Sequence, residues 1–153
     1  MRNGIIAAMM VLLAGCGSTA GDEAAEPVEE AWVRLPAVDG RPGAAYFTLN
    51  GGEAGDVLIA VDSPAAATVE LHESRIEGEA MTMRPVEAIE VPADGSVTLA
   101  PRGLHAMLFG LASDLEPGGT LPLNLRFDSG RDVQVDARIV GAGDPAPFGE
   151  AAE

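Results

Sequence analysis

Leu121-Pro-Leu-Asn-Leu-Arg-Phe-Asp-Ser-Gly-Arg-Asp-Val-Gln-Val-Asp-Ala-Arg-Ile139 alternates apolar and polar residues on both sides of a Gly-containing turn. Leu121, Leu123, Leu125 and Phe127 share one side of an extended chain, as do Val133, Val135, Ala137 and Ile139. A period of two over this length marks half-buried antiparallel strands, and Asp128-Ser129-Gly130-Arg131 closes them as a hairpin. Working outward from this pair, further strands are predicted at Ala31–Leu35, Ala44–Leu49, Val57–Val61, Thr68–His72, Met81–Met83, Ile89–Val91, Ser96–Leu99 and His105–Leu111. Turn-forming residues separate them: Asp39-Gly40, Asn50-Gly51-Gly52, Ser63-Pro64, Glu77-Gly78, Asp94-Gly95 and Pro117-Gly118-Gly119. No long stretch carries a helical period. Short strands punctuated this regularly predict an all-β sandwich with Greek-key connections.

The two ends have a different composition. Met1-Arg2-Asn3 precedes the apolar run Ile5 to Leu13, which is too short to span a bilayer as a mature helix. Leu13-Ala14-Gly15-Cys16 follows and resembles a bacterial lipobox, in which Cys16 is lipidated and becomes the new N-terminus. The expected layout is a signal peptide at 1–15, a lipidated Cys16 with an acidic linker through 30, a folded domain at 31–140 and a disordered tail at 141–153. The linker, Gly, Ala, Pro and acid, cannot bury apolar area and would tether the domain within a few tens of Å of a membrane. Cys16 is the only cysteine, so the chain beyond it is thiol-free, as suits an oxidising compartment outside the cytoplasm. Lysine is absent, and 9 arginines face 24 acids, a net charge of −15. Phosphate contacts need Lys and Arg, so nucleic acid is excluded as a partner.

Soft donors concentrate in one window. Past residue 15 the only methionines are Met81, Met83 and Met107, and the chain's two histidines are His72 and His105. His105 and Met107 lie two apart on one predicted strand and project from the same face, with Cα atoms about 7 Å apart. Met81 and Met83 likewise share a face. His72 ends a predicted strand whose Val69 and Leu71 point the other way. Two imidazoles and two thioethers form a neutral set suited to four-coordinate Cu(I), whereas thioethers are poor ligands for Zn²⁺, Mg²⁺ or Ca²⁺. Zinc on His72, His105 and a carboxylate such as Glu70 or Glu73 is the competing reading, and it leaves the methionines unexplained. Methionines that fill core gaps are the bland one. Trp32 and Tyr46 are the large aromatic residues, and Trp32 is expected in the core. A Cys nucleophile, a Gly-x-Ser-x-Gly elbow and a Gly-rich phosphate loop are all missing, so no enzymatic activity is expected.

His72, Met83, His105 and Met107 spell His-x10-Met-x21-His-x-Met, which resembles the motif of the periplasmic copper chaperone family of the PCuAC type. Flanking stretches are similar too: Ala-Trp-Val-Arg at 31–34, Ala-Ala-Tyr-Phe-Thr-Leu at 44–49, Val-Glu-Leu-His-Glu at 69–73, Met-Arg-Pro-Val-Glu at 83–87 and Gly-Leu-His-Ala-Met-Leu at 103–108. The resemblance covers about residues 31–140. It implies a cupredoxin-like β-sandwich in the periplasm that binds Cu(I) through those four side chains; Met81 lies outside the motif and is read as an auxiliary donor or lid. It further implies delivery toward the dinuclear copper centre in subunit II of cytochrome c oxidase, directly or through a thioredoxin-like assembly protein. Storage or resistance is the alternative use of the same ligands, and a structural or adhesion lipoprotein the alternative without metal. Some relatives carry a Met- and His-rich C-terminal extension; Gly141–Glu153 contains neither residue.

Overall fold

The structure, a computed structural model, describes residues 25–149. Cys16, the signal-peptide expectation and most of the linker lie outside these residues. Ten strands follow one another: β1 Val28–Arg34, β2 Gly43–Asn50, β3 Asp56–Asp62, β4 Thr68–Glu77, β5 Ala80–Pro85, β6 Ile89–Val91, β7 Ser96–Leu99, β8 Leu104–Phe109, β9 Thr120–Phe127 and β10 Asp132–Val140. They form the predicted all-β, cupredoxin-like sandwich. The strand order is β5-β4-β8-β2-β1-β10-β9-β3-β6, with β7 also paired to β2. β1 and β10 run parallel, and the other pairs are antiparallel.

One continuous core fills the space between the two halves. Val33, Phe47, Leu49, Leu71, Ala106 and Leu108 come from one half; Leu58, Leu123, Leu125, Phe127 and Ile139 come from the other. The hairpin that opened the sequence reading supplies its side of this core through the alternation described above, with Val133↔Leu125 and Val135↔Leu123 in register. Residues of opposite parity leave the core, which positions everything that follows. Leu71 pairs with Ala106 and both are buried inward, so the neighbouring pair His72↔His105 faces out.

Two boundaries differ from expectation. β1 begins at Val28, inside the expected linker, because Val28 is buried opposite Leu49. A bulge at Glu30, whose φ is 53°, lets both Val28 and Val33 point inward on one strand. At the other end, residues 141–149 are not a loose tail. Gly141 N donates to Asp144 Oδ2 at 2.7 Å, Arg34 Nη2 donates to the Asp144 carbonyl at 3.1 Å, and Ala146 packs on the outer-face cluster of Trp32, Tyr46 and Val140. Trp32 is buried as expected, but in this separate cluster rather than in the main core.

Candidate metal centre

β4 lies between β5 and β8, and the register of these three strands decides which side chains meet. His72 pairs directly with His105, and their ring centroids are 5.9 Å apart. Glu70, two residues along on the same face, pairs with Met107. Ser74, two residues along in the other direction, pairs with Met83. Directly paired residues share a face, so His72, Met83, His105 and Met107 all project from the outer face of one three-strand segment. They form a diagonal, with the imidazole pair in the middle and one thioether beyond each end. Met81 pairs with Ile76, one step farther from the imidazoles on the same face.

The expectation that His72 ends its strand is corrected. β4 continues to Glu77, so His72 sits mid-strand and the four side chains gather on a sheet face, not at the rim of the sandwich. The apolar alternation that marks β4 stops after Leu71 because beyond that point β4 no longer covers the core.

Both imidazoles are held by hydrogen bonds that leave one ring nitrogen bare. His105 Nδ1 donates to the Gly103 carbonyl at 3.0 Å, which leaves Nε2 with its lone pair. The same carbonyl accepts Ser74 N at 3.0 Å, so one backbone oxygen fixes both the ring and the last rung between β4 and β8. His72 Nε2 lies 3.0 Å from Glu70 Oε2; a carboxylate only accepts, so Nε2 carries the proton. His72 Nδ1 is then a buried acceptor without a hydrogen-bond partner. An orphaned buried lone pair costs about 1–3 kcal/mol unless something fills it. A carboxylate bonded to the far nitrogen of a histidine is also the arrangement that orients metal-ligating imidazoles.

Accessibility is graded across the set. His105 is only 5 % exposed, Met107 is half-buried, and Met83 is 56 % exposed. Beside His105 on the same outer face the Tyr46 ring follows at 6.5 Å and the Trp32 ring lies 4.4 Å from Tyr46, so an aromatic row flanks it on the β2 side. Burial raises the Tyr46 pKa against the smaller opposing effect of Arg34, keeping it a neutral phenol at physiological pH. Glu73, one of the two carboxylates suggested for zinc, sits at the opposite parity and pairs with Arg75 at 2.7 Å. Among the described residues no group of three His, Cys, Asp or Glu is placed to hold a metal ion. Sequence reasoning misses Glu70 and Gly103 as ring-orienting groups: Glu70 enters it as a ligand for zinc, and a backbone carbonyl leaves no mark in a sequence.

A family model described as LpqE-like lipoprotein matches residues 27–139. A protein of Leifsonia xyli subsp. xyli, named as a lipoprotein, is 32% identical over 139 residues, which cover 85% of this chain and 83% of that one. The solution structure of CuI-DR1885 from Deinococcus radiodurans is 31% identical, with a TM-score of 0.58 over 81% of this chain and 85% of that one. The copper-bound PCuAC domain from PmoF2 superposes with a TM-score of 0.61 at 24% identity, over 74% of this chain and 91% of that domain, a likeness of fold.

Proposed function

The chain belongs to the LpqE-like lipoprotein family, and from that premise we propose that it is an extracytoplasmic Cu(I)-binding metallochaperone anchored through a lipid on Cys16. The observation that carries the reading is the His72↔His105 pair with a thioether on each side of it, on one face, in a chain whose only cysteine is Cys16. The naming of a 31% identical structural relative as a CuI protein supports the same reading.

The donor set is neutral and soft. Imidazole accepts copper in either oxidation state, whereas thioether sulfur favours Cu(I). His105 Nε2, His72 Nδ1 and the sulfurs of Met83 and Met107 hold the ion, and Met81 is a spare donor farther along the same face. Release follows the gradient of exposure. Met83, most exposed, is displaced first by a soft donor of an acceptor protein; Met107 and His72 follow; His105, pinned by Gly103 and covered by Tyr46, lets go last. Copper thus passes by ligand exchange and is never free in solution. The intended acceptor is the dinuclear copper centre of cytochrome c oxidase subunit II, directly or through a thioredoxin-like assembly protein, by resemblance to the PCuAC type.

Anaerobic competition against a Cu(I) chelator tests the site. One tight equivalent is expected, with affinity falling at least tenfold in Met83→Ala and in His105→Ala. Unchanged affinity in both variants would overturn the assignment. Loss of oxidase activity on deletion, restored by added copper, tests delivery; a deletion strain that is only copper-sensitive indicates storage or resistance.

A further inference from the structure

Beyond Ser74 the last rung to β8 is spent, and β4 and β5 continue as a two-stranded arm formed by residues 75–82. A lone hairpin in water is marginally stable, so a bare apolar face on it needs a reason. Ile76 is 76 % exposed and Met81 50 %, and they pair across the arm on the same face as Met83. These three residues are the large exposed hydrophobics of the β4–β5 hairpin, and they run on from the proposed ligand set without a break. The arm's other face is ionic, with Arg75 on Glu73 and Arg84 on Glu77.

Resting on the carrier reading, we propose that this arm is the docking surface for the copper acceptor, and that the acceptor presents an apolar patch rimmed by Lys and Arg beside its own soft donors. Charge selects that occupant. Both arginines of the hairpin are already paired, while Glu79 in the turn at the arm's tip, and Glu70 and Glu87 toward its base, add acid that no arginine neutralises. A second copy of the chain would bring a net charge of −15 against another −15, which opposes self-association through this face. A basic rim is steered in and covers Ile76 and Met81, and docking there places its donors against Met83, the ligand displaced first.

Two synthetic amphipathic dithiol peptides probe this, one flanked by lysines and the other identical but with glutamates. Cu(I) transfer from the loaded protein is followed by anaerobic stopped flow. The lysine peptide should strip copper at least tenfold faster at low salt, and the advantage should shrink as salt is raised. Ile76→Ser should slow transfer to the lysine peptide, and Ile76→Lys should slow it further. Neither should change affinity for Cu(I) measured with a small chelator, because Ile76 is not a ligand. Equal rates for the two peptides, or rates indifferent to Ile76, would overturn the docking surface while leaving the carrier reading intact. Failure to take up Cu(I) in the chelator assay would instead remove the carrier reading, and this proposal with it.

Discussion

A carboxylate that never touches the cargo can still set how tightly it is held. Glu70 accepts from His72 Nε2 and so leaves Nδ1 as the ring's free acceptor. Removing such a partner from a metal-ligating histidine costs about 10–100-fold in affinity. Glu70 is half exposed, which favours the lower end of that range. Glu70→Ala should therefore weaken Cu(I) binding about tenfold in chelator competition, with the fold unchanged by circular dichroism. An effect as large as that of His72→Ala would make Glu70 a ligand instead. At this scale the sequence disclosed the scarce residues and hid the common ones. Two histidines and three methionines stand out beyond residue 15, whereas Glu70 is one of 24 acids and the Gly103 carbonyl has no side chain to notice.

Strands were legible where one side faces the core and illegible where neither does. β9 and β10 alternate along their length, so their pairing was read directly. The outer part of β4, Glu73 to Glu77, is exposed on both faces or nearly so; without a buried side it has no period, and its strand was read too short. The segment after Val140 was misread for another reason: Ala146 finds its partners, Trp32 and Tyr46, on strands about a hundred residues earlier. Truncation after Val140 should uncover the chain's single tryptophan, seen as a red shift and stronger quenching by acrylamide; an unchanged spectrum would mean the segment does not cover it. The β9–β10 turn carries a second prediction. Burial raises the pKa of Asp56, but hydrogen bonds from Ser129 Oγ at 2.7 Å, Val57 N at 2.8 Å and Ser129 N at 3.3 Å, with Arg131 nearby, outweigh it and hold the carboxyl below its ordinary value. A depressed folded-state pKa gives stability that is present above the unfolded value of about 3.9 and lost as pH falls through the folded one. Asp56→Asn should cost about 1–3 kcal/mol at neutral pH and flatten the acid limb below about pH 4, measured by urea unfolding across pH. Equal pH profiles for variant and parent would contradict this.

Across the whole molecule, one sheet wraps into two layers and spends its inward parity on the core, freeing the outward parity of β5, β4 and β8 for chemistry. Met83 reaches His72 through the β4–β5 hairpin and Met107 follows His105 along β8, but these two halves of the donor set become neighbours only because β8 pairs with β4 through a crossover, with His72 and His105 in direct register. Parity within each strand was readable from sequence; the register between strands was not, since it depends on how two distant segments are brought together by the core. A carrier of this kind requires nitrogen and sulfur to converge on one ion. X-ray absorption at the copper edge of the reduced, singly loaded protein measures that most directly. The expected spectrum shows imidazole nitrogen together with two thioether sulfurs, with one sulfur lost in Met83→Ala and one in Met107→Ala. A shell of nitrogen and oxygen alone, unchanged in both variants, would contradict it.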